Sequence, residues 1–183
     1  MRVIAGTKKG LPLKTLEGDS TRPTNDRIKE TLFNMISFDV PSSNFLDLFA
    51  GSGQIGIEAL SRGANSATLI ESNPKAVKII ENNLKFTGFD NAALISGDVF
   101  TALSGKKVKD NAKYDIIFMD PPYAMEKEGD ILSLIKENDL LEERGIIIIE
   151  ADIKRDFSFV EDMGFSIKKI KKYKTNQHIF LEL

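Results

Sequence analysis

Asp120-Pro121-Pro122-Tyr123 is the stretch whose residue types define a chemistry most narrowly. Two consecutive prolines fix φ and remove two N–H donors, so the local carbonyls are left to accept hydrogen bonds from a ligand. Asp120 adds a carboxylate acceptor and Tyr123 a flat face for stacking. Together they suit an sp²-attached NH₂ group on a planar ring. A rigid turn carrying a surface aromatic is the plain alternative.

A second constellation is Asp47-Leu48-Phe49-Ala50-Gly51-Ser52-Gly53-Gln54-Ile55-Gly56. Gly51, Gly53 and Gly56 satisfy G-x-G-x-x-G, in which glycine lets the backbone turn sharply and approach a ligand. The pattern suits nicotinamide dinucleotides, flavins and S-adenosylmethionine alike, and a tight turn without a ligand satisfies it too. Glu71 closes the next apolar run, where a carboxylate can accept from both hydroxyls of a ribose; an exposed strand-end acid is the alternative. Asp98, in Ser96-Gly97-Asp98-Val99, can accept from an adenine amino group or cap a helix. Both roles are compatible.

These residues matter only if the elements around them bring them together. Residues 1–23 read as an extended arm, with a hairpin bend at Gly6-Thr7-Lys8-Lys9-Gly10. A helix is predicted from Thr24, a plausible N-cap, through Phe38, with Ile28, Leu32, Met35 and Ile36 along one face. Beyond Pro41-Ser42-Ser43, strands are predicted at 45–49, 67–70, 92–96, 114–119 and 145–150. Helices are predicted at 54–62, 74–86, 128–138 and 153–163, and two last strands near 165–172 and 177–182 form a hairpin. Continuous apolar strands alternating with helices imply an α/β fold with a mostly parallel sheet covered on both faces. Ligands of such sheets bind at the carboxyl ends of the strands. The constellations all fall there. His178, in the last strand, reads as structural and distant from those ends.

Composition narrows the classes further. A chain of 183 residues fits one compact domain. The division expected is an N-terminal extension over residues 1–40 and a cofactor-binding domain over 41–183, forming one unit. No cysteine and a single histidine exclude disulfides, thiolate metal sites and His-rich metal centres. No apolar run approaches the roughly 18 residues of a membrane helix, and the start lacks a signal peptide's apolar core; a cytoplasmic protein is expected. Net charge is −2, with a sequence pI near 5.6, which weighs against nucleic-acid binding unless charge is uneven. It is uneven: Arg2, Lys8, Lys9, Lys14, Arg22, Arg27 and Lys29 crowd the first 29 residues, and Lys168, Lys169, Lys171, Lys172 and Lys174 form a second run. Solvated surface charge is the plain reading of both.

Asp/Asn-Pro-Pro-aromatic after the fourth strand resembles the motif of methyltransferases acting on amino groups of adenine, guanine or glutamine. The order Asp47–Gly53, Glu71, Asp98, Asp120–Tyr123 is similar to the series of Rossmann-like class I methyltransferases. Met1-Arg2-Val3-Ile4-Ala5-Gly6, Arg22-Pro23-Thr24-Asn25-Asp26-Arg27-Ile28-Lys29-Glu30-Thr31-Leu32-Phe33-Asn34 and Leu46–Gly53 together resemble the RsmD family. These are 16S ribosomal RNA (guanine-N2)-methyltransferases, which modify guanine 966 in the loop of helix 31. The likeness is dense over 1–72 and 114–123 and thin beyond 124. Tyr173-Lys174-Thr175-Asn176 departs from it, because the family often places a glycine-containing turn there.

The resemblance implies a seven-stranded sheet with an antiparallel last strand. It implies S-adenosylmethionine bound by Asp47, Phe49, Ala50, Gly51, Ser52, Gly53, Gly56, Glu71, Ser72, Asp98, Val99 and Asp120, with no metal. Asp120, Pro121, Pro122 and Tyr123 would carry catalysis: Asp120 and the Pro121 carbonyl accept from the amine, Pro122 stiffens the loop and Tyr123 stacks on the base. Arg2, Lys8, Lys9, Arg22, Thr24 and Arg27 would contact RNA, within the small ribosomal subunit or a precursor, and the protein would act as a monomer. The same chemistry leaves DNA adenine-N6 and protein glutamine methylation open. A nicotinamide-dependent oxidoreductase and a non-enzymatic RNA-binding module are alternatives of other classes. Calorimetry separates the cofactors: S-adenosylhomocysteine is expected to bind and NADH not to, and the reverse outcome makes the chain an oxidoreductase.

Overall fold

Near-continuous apolar strands need cover on both faces, and the computed structural model shows how this chain provides it. It describes residues 1–16, 24–105, 108, 113–122 and 125–183; Arg22 and Tyr123 lie outside the described residues, as does the side chain of Thr24. The strands are β1 (Asn44–Asp47), β2 (Ser66–Glu71), β3 (Ala92–Ser96), β4 (Tyr114–Met119), β5 (Leu141–Asp152), β6 (Ser166–Lys172) and β7 (Asn176–Glu182). They form one seven-stranded sheet in the order β3-β2-β1-β4-β5-β7-β6. β1 to β5 pair in parallel, and β7 runs antiparallel to both of its neighbours, β5 and β6. This is the Rossmann-like class I arrangement the motifs implied. The strand order reverses at β1 and β4, which makes their carboxyl ends the switch point.

The helices are α1 (Thr24–Met35), α2 (Gln54–Ser61), α3 (Pro74–Thr87), α4 (Val99–Ser104), α5 (Glu128–Glu137) and α6 (Phe159–Asp162). α3 shows how sequence sets the bounds. The Asn73 side chain caps it by accepting from the Lys75 N–H, Pro74 occupies the first turn, and Gly88 ends it at φ 71°. Successive strand residues serve opposite layers. Leu46, Ile117, Met119, Ile147 and Ile149 pack with Leu103 of α4 and Ile131 and Ile135 of α5. Phe45, Ile116, Phe118, Ile146 and Ile148 pack with Phe33 of α1, Ile36 just after it, Leu60 of α2 and Ile80 of α3. No described helix is long and apolar enough to cross a membrane.

The helix predicted over 153–163 is reduced to the four residues of α6. Polar side chains take the backbone groups a helix would need: Asp152 Oδ1 accepts from Lys154 N–H at 2.8 Å, Asp156 Oδ1 from Ser158 N–H at 3.1 Å, and Gln177 Nε2 donates to the Arg155 carbonyl at 2.7 Å. β5 is longer than predicted at both ends: β7 pairs along it as far as Asp152 with Asn176, and at its start Leu141 pairs with Tyr114 of β4. α4 was not predicted from periodicity, six residues being too few to show one. The glycine-free 173–176 segment makes a tight turn all the same, closed by Tyr173 N–H on the Asn176 carbonyl at 2.8 Å.

The arm is a hairpin, as its glycines suggested. Val3 N–H donates to the Leu11 carbonyl at 2.9 Å and Gly10 N–H to the Val3 carbonyl at 2.8 Å. It is docked against α2 through a buried carboxylate. Glu58, fully buried, accepts from Ile4 N–H at 2.7 Å, from Ala5 N–H at 3.0 Å and from Arg62 Nε at 2.8 Å, with Lys29 Nζ at 3.6 Å. Lys29, one of the basic residues read as surface charge, is buried: burial pulls its pKa down, and the Glu58 and Asp26 charges oppose that. Gly6 crosses so close to α2 that a Cβ there would lie 1.7 Å from the Ser61 carbonyl oxygen, and its φ is +81°. Removing one member of a buried ion cluster strands the others without water. Glu58→Ala is therefore expected to lower unfolding free energy by about 3–5 kcal/mol in urea titrations; a loss under about 1 kcal/mol would mean the arm is not an integral part of the fold.

Candidate active site

Four strand ends open onto one cavity of about 560 Å³, within the ordinary range for a small-molecule site. β1 leads into Leu48, Phe49 and Gly51; β2 ends at Glu71 and continues to Ser72; β3 gives way to Gly97, Asp98 and Val99; β4 gives way to Asp120, Pro121 and Pro122. All of these line the wall, so the proline corner and the glycine turn share a chamber. Asp47, Ala50, Ser52, Gly53 and Gly56 stand behind it. Gly53 and Gly56 face the β2 side chain of Leu69, which a Cβ would approach to 3.2 and 3.0 Å respectively. Their role is close packing of α2 on the sheet. Ser52 lies beside the arm, with its carbonyl accepting from Asn83 Nδ2 at 2.9 Å and its hydroxyl 3.6 Å from Met1 sulfur.

The wall is acidic. Glu71, Asp98 and Asp120 line it, and no described lining residue is basic. Glu71 is held in place by the loop it faces: Oε2 accepts from Gly51 N–H at 2.8 Å and Oε1 from Asn73 N–H at 2.7 Å. An ionised carboxylate has about four acceptor positions, so two remain for hydroxyl donors. Asp98 is the N-cap of α4, its Oδ1 accepting from Phe100 N–H at 2.9 Å and Thr101 N–H at 3.2 Å while the residue stays exposed to the cavity. Both readings of Asp98 thus remain compatible. The acids do not form a metal-ligand cluster among the described residues.

Asp47 is almost fully buried, and neither carboxylate oxygen has a partner within hydrogen-bonding geometry. Burial raises its pKa to about 7; the Phe49 and Gly56 amides oppose the rise at longer range, and the Glu71 charge adds to it. Asp120 is open to the cavity yet deep within the molecule. A surface that water can reach from a crevice is still flanked by protein, and this poor solvation pushes its pKa well above the usual carboxylate range, with the Glu150 and Asp47 charges adding to the shift. The Pro122 carbonyl accepts from Met125 N–H at 2.8 Å. Tyr123 lies outside the described residues.

This chamber discriminates among the ligands that a glycine turn can serve. Dinucleotides bring a diphosphate, which needs free amides and no facing anions. Here the Gly51 amide is already given to Glu71, and the charged side chains among the described wall residues are all negative. A cationic sulfonium suits the same wall. Nothing in the donor set conflicts with S-adenosylmethionine: paired acceptor positions on Glu71, a side-chain-free approach at Gly51, and carboxylates near a positive centre.

The proposed RNA-contacting residues are dispersed on and near the arm. Arg2, Lys9 and Arg27 are exposed, Arg2 pairing with Asp26 at 3.3 Å, while the Lys8 ammonium sits 5.9 Å from the Phe89 ring centre. Sequence reasoning missed Glu58, Ser61 and Asn83, which hold the arm, because their partners are 53 to 69 residues away. It also set His178 apart from the strand ends. β7 runs backwards, so its first residues meet the end of β5, and His178 Nε2 lies 3.0 Å from Glu150 Oε2.

A raised pKa on a buried acid is a statement about stability. With the Asp47 pKa moved from 3.8 unfolded to about 7 folded, stability present below pH 3.8 is lost as pH rises towards about 7. Asp47→Asn removes that penalty. The variant is expected to be more stable than the parent at pH 8, by up to about 4 kcal/mol, and to lose the advantage at pH 4; thermal melts at the two pH values measure it.

A family model described as Conserved hypothetical protein 95 matches residues 1–182. The Bacillus subtilis protein YlbH is 42% identical over 90% of this chain and 88% of its own length. Ribosomal RNA small subunit methyltransferase D of Haemophilus influenzae is 34% identical over 83% of this chain and 79% of its own. Among solved structures, the Escherichia coli protein yhhF superposes with a TM-score of 0.87 at 30% identity, covering 99% of this chain and 96% of that one. With sequence and fold in agreement over nearly its whole length, the chain belongs to the Conserved hypothetical protein 95 family, the RsmD family of class I methyltransferases.

Proposed function

We propose that the protein transfers a methyl group from S-adenosylmethionine to the exocyclic N2 of guanine 966 in 16S ribosomal RNA, acting as a cytoplasmic monomer on the small subunit or its precursor. The observation that carries this reading is the shared chamber: an acidic wall at the glycine turn, contiguous with Asp120-Pro121-Pro122. Family membership supports the activity, and the name of the Haemophilus influenzae relative points to small-subunit ribosomal RNA. The guanine and its N2 follow from the motif resemblance.

Bound S-adenosylmethionine supplies an electrophilic methyl group on a positive sulfur. Glu71 would accept from the ribose hydroxyls and Asp98 from the adenine amine, fixing where that methyl points. The guanine N2 lone pair is delocalised into the ring and is a poor nucleophile, so positioning carries much of the catalysis. Asp120 and the Pro121 carbonyl would accept from the two N–H bonds and turn N2 towards the methyl carbon. The choice of the Pro121 carbonyl follows from the motif resemblance, and the Pro122 carbonyl already accepts from Met125 N–H. Positive charge would grow on N2 during transfer, and the Asp120 carboxylate would stabilise it and accept the proton that N2 loses. Tyr123 would stack on the base, which must leave its own stack to enter. Exposed Arg2, Lys9 and Arg27, with Lys8, Arg22 and Thr24, would hold phosphates without reading sequence. The structural unit we infer from this division of labour is an RNA-contacting extension over 1–40 on a catalytic domain over 41–183.

Labelled S-adenosylmethionine and unmodified small ribosomal subunits, followed by mass spectrometry of the RNA, test the proposal. N2-methylguanine at position 966 is expected; label on adenine, on protein glutamine or nowhere would reject it. Asp120→Ala is expected to lower single-turnover transfer about 10²–10³-fold while S-adenosylhomocysteine still binds.

A further inference from the structure

Glu150 and His178 have no part in the mechanism above, yet they form a partly buried polar chain ending beside Asp120. The β4–β5 register pairs Met119 with Ile149, so Asp120 follows beside Glu150. Glu150 has both oxygens occupied on the β7 side. Oε1 accepts from Asn176 Nδ2 at 2.5 Å, and Oε2 lies 3.0 Å from His178 Nε2. His178 is fully buried, wedged edge-on against Phe118 and Tyr173, and its Nδ1 is 3.2 Å from the Tyr173 hydroxyl. Proton positions follow from donor and acceptor inventory. A carboxylate only accepts, so Nε2 donates to Glu150; in the tautomer with its hydrogen on Nε2, Nδ1 accepts from the Tyr173 O–H. Every hydrogen bond in the chain thus points towards Glu150.

We propose that Glu150, fixed by His178 and Asn176 with Tyr173 behind them, is the positioning residue for Asp120: its negative charge makes the Asp120 carboxylate a stronger acceptor for the proton that the target amine loses. The idea rests on the methyltransferase reading above. A carboxylate placed beside another makes each hold a proton more tightly, and a proton acceptor works best when that affinity approaches the working pH. The burial-driven rise at Asp120, to which Glu150 is the largest charge contributor, is consistent with this. Among the described residues, the charged and titratable groups around the pair are these. Asp47 of β1 faces Asp120, with Glu71 and Asp98 across the chamber. Around Glu150 stand His178 and Tyr173, the latter with its pKa pushed up to about 12 by burial and then by Glu150, so it keeps its proton and donates. The Lys171 ammonium lies over the Tyr173 ring, 5.9 Å from its centre.

The test needs no cofactor for its first readout. Carboxyl-carbon NMR of the free protein, with the Asp120 signal identified by its loss in Asp120→Asn, follows titration directly. In the parent, the Asp120 and Glu150 signals are expected to show two inflections at shared pH values, because each carboxyl senses the other's charge. In Glu150→Gln the Asp120 midpoint is expected to fall by about one pH unit; Glu150→Asp, which keeps the charge, holds it near the parent value. The acid limb of single-turnover methyl transfer moves down with it in Glu150→Gln, and the plateau rate falls several-fold. An Asp120 midpoint and acid limb that stay put in a folded Glu150→Gln would overturn the proposal, as would single, independent inflections in the parent, a result available even if the variant fails to fold. A parent protein that binds no S-adenosylhomocysteine and methylates nothing would instead reject the methyltransferase reading, and the NMR titration would still decide the coupling.

Discussion

Carboxylates repel one another, most strongly where water is scarce, and this chain gathers them at one edge of its sheet. Glu71, Asp98 and Asp120 face the chamber, Asp47 lies buried behind the glycine turn without a hydrogen-bond partner, and Glu150 stands beside Asp120. Such an arrangement opposes folding. It persists because two apolar layers clamp the central strands on both faces, with Phe45, Phe118 and Ile148 packed to one side and Ile117, Met119 and Ile149 to the other. The rest of the site follows from that confinement. A wall of negative charge attracts a positive sulfur, repels a diphosphate and, with burial, raises the proton affinity of Asp120.

The arm obeys the same logic with the sign balanced. Glu58 is buried as completely as any residue in the core, but it is surrounded by donors: two backbone amides of the hairpin, Arg62 and Lys29. One carboxylate thereby ties the hairpin to α2 and α2 to α1. Asn83 of α3 adds a second tie, bonding Lys14 N–H and carbonyl as well as the Ser52 carbonyl in the glycine turn. The arm and the glycine turn therefore share a support, so their relative placement is set by buried polar bonds.

Much of the site was legible in the sequence because its chemistry is local to strand ends. Gly51, Glu71, Asp98 and Asp120 each follow a short apolar run, and a parallel sheet brings such ends together whatever the strand order. What could not be read depends on partners distant in the chain. Glu58 looks like any helical acid until Ile4 and Ala5 are seen to reach it. His178 was set apart because distance along the last strand was judged without its direction; antiparallel β7 reverses the answer. The missing half of the 153–163 helix has a different cause, since Asp152 and Asp156 satisfy nearby amides in a way that a periodicity count does not register.

The place of β7 between β5 and β6 has a consequence for the newborn chain. Ile146 to Ile149 form an unbroken β-branched run, and β7 is the strand that covers one side of it, though it comes last in chain order. Until β7 inserts, that flank is bare, sticky and able to pair with another molecule. β6 waits meanwhile with no neighbour in the sheet, and its Lys168, Lys169, Lys171 and Lys172 are exposed along the outer border. Repulsion between these lysines on different molecules guards the outer border against end-to-end polymerisation once β7 has closed the gap, so the interval before closure is when chaperone protection matters most.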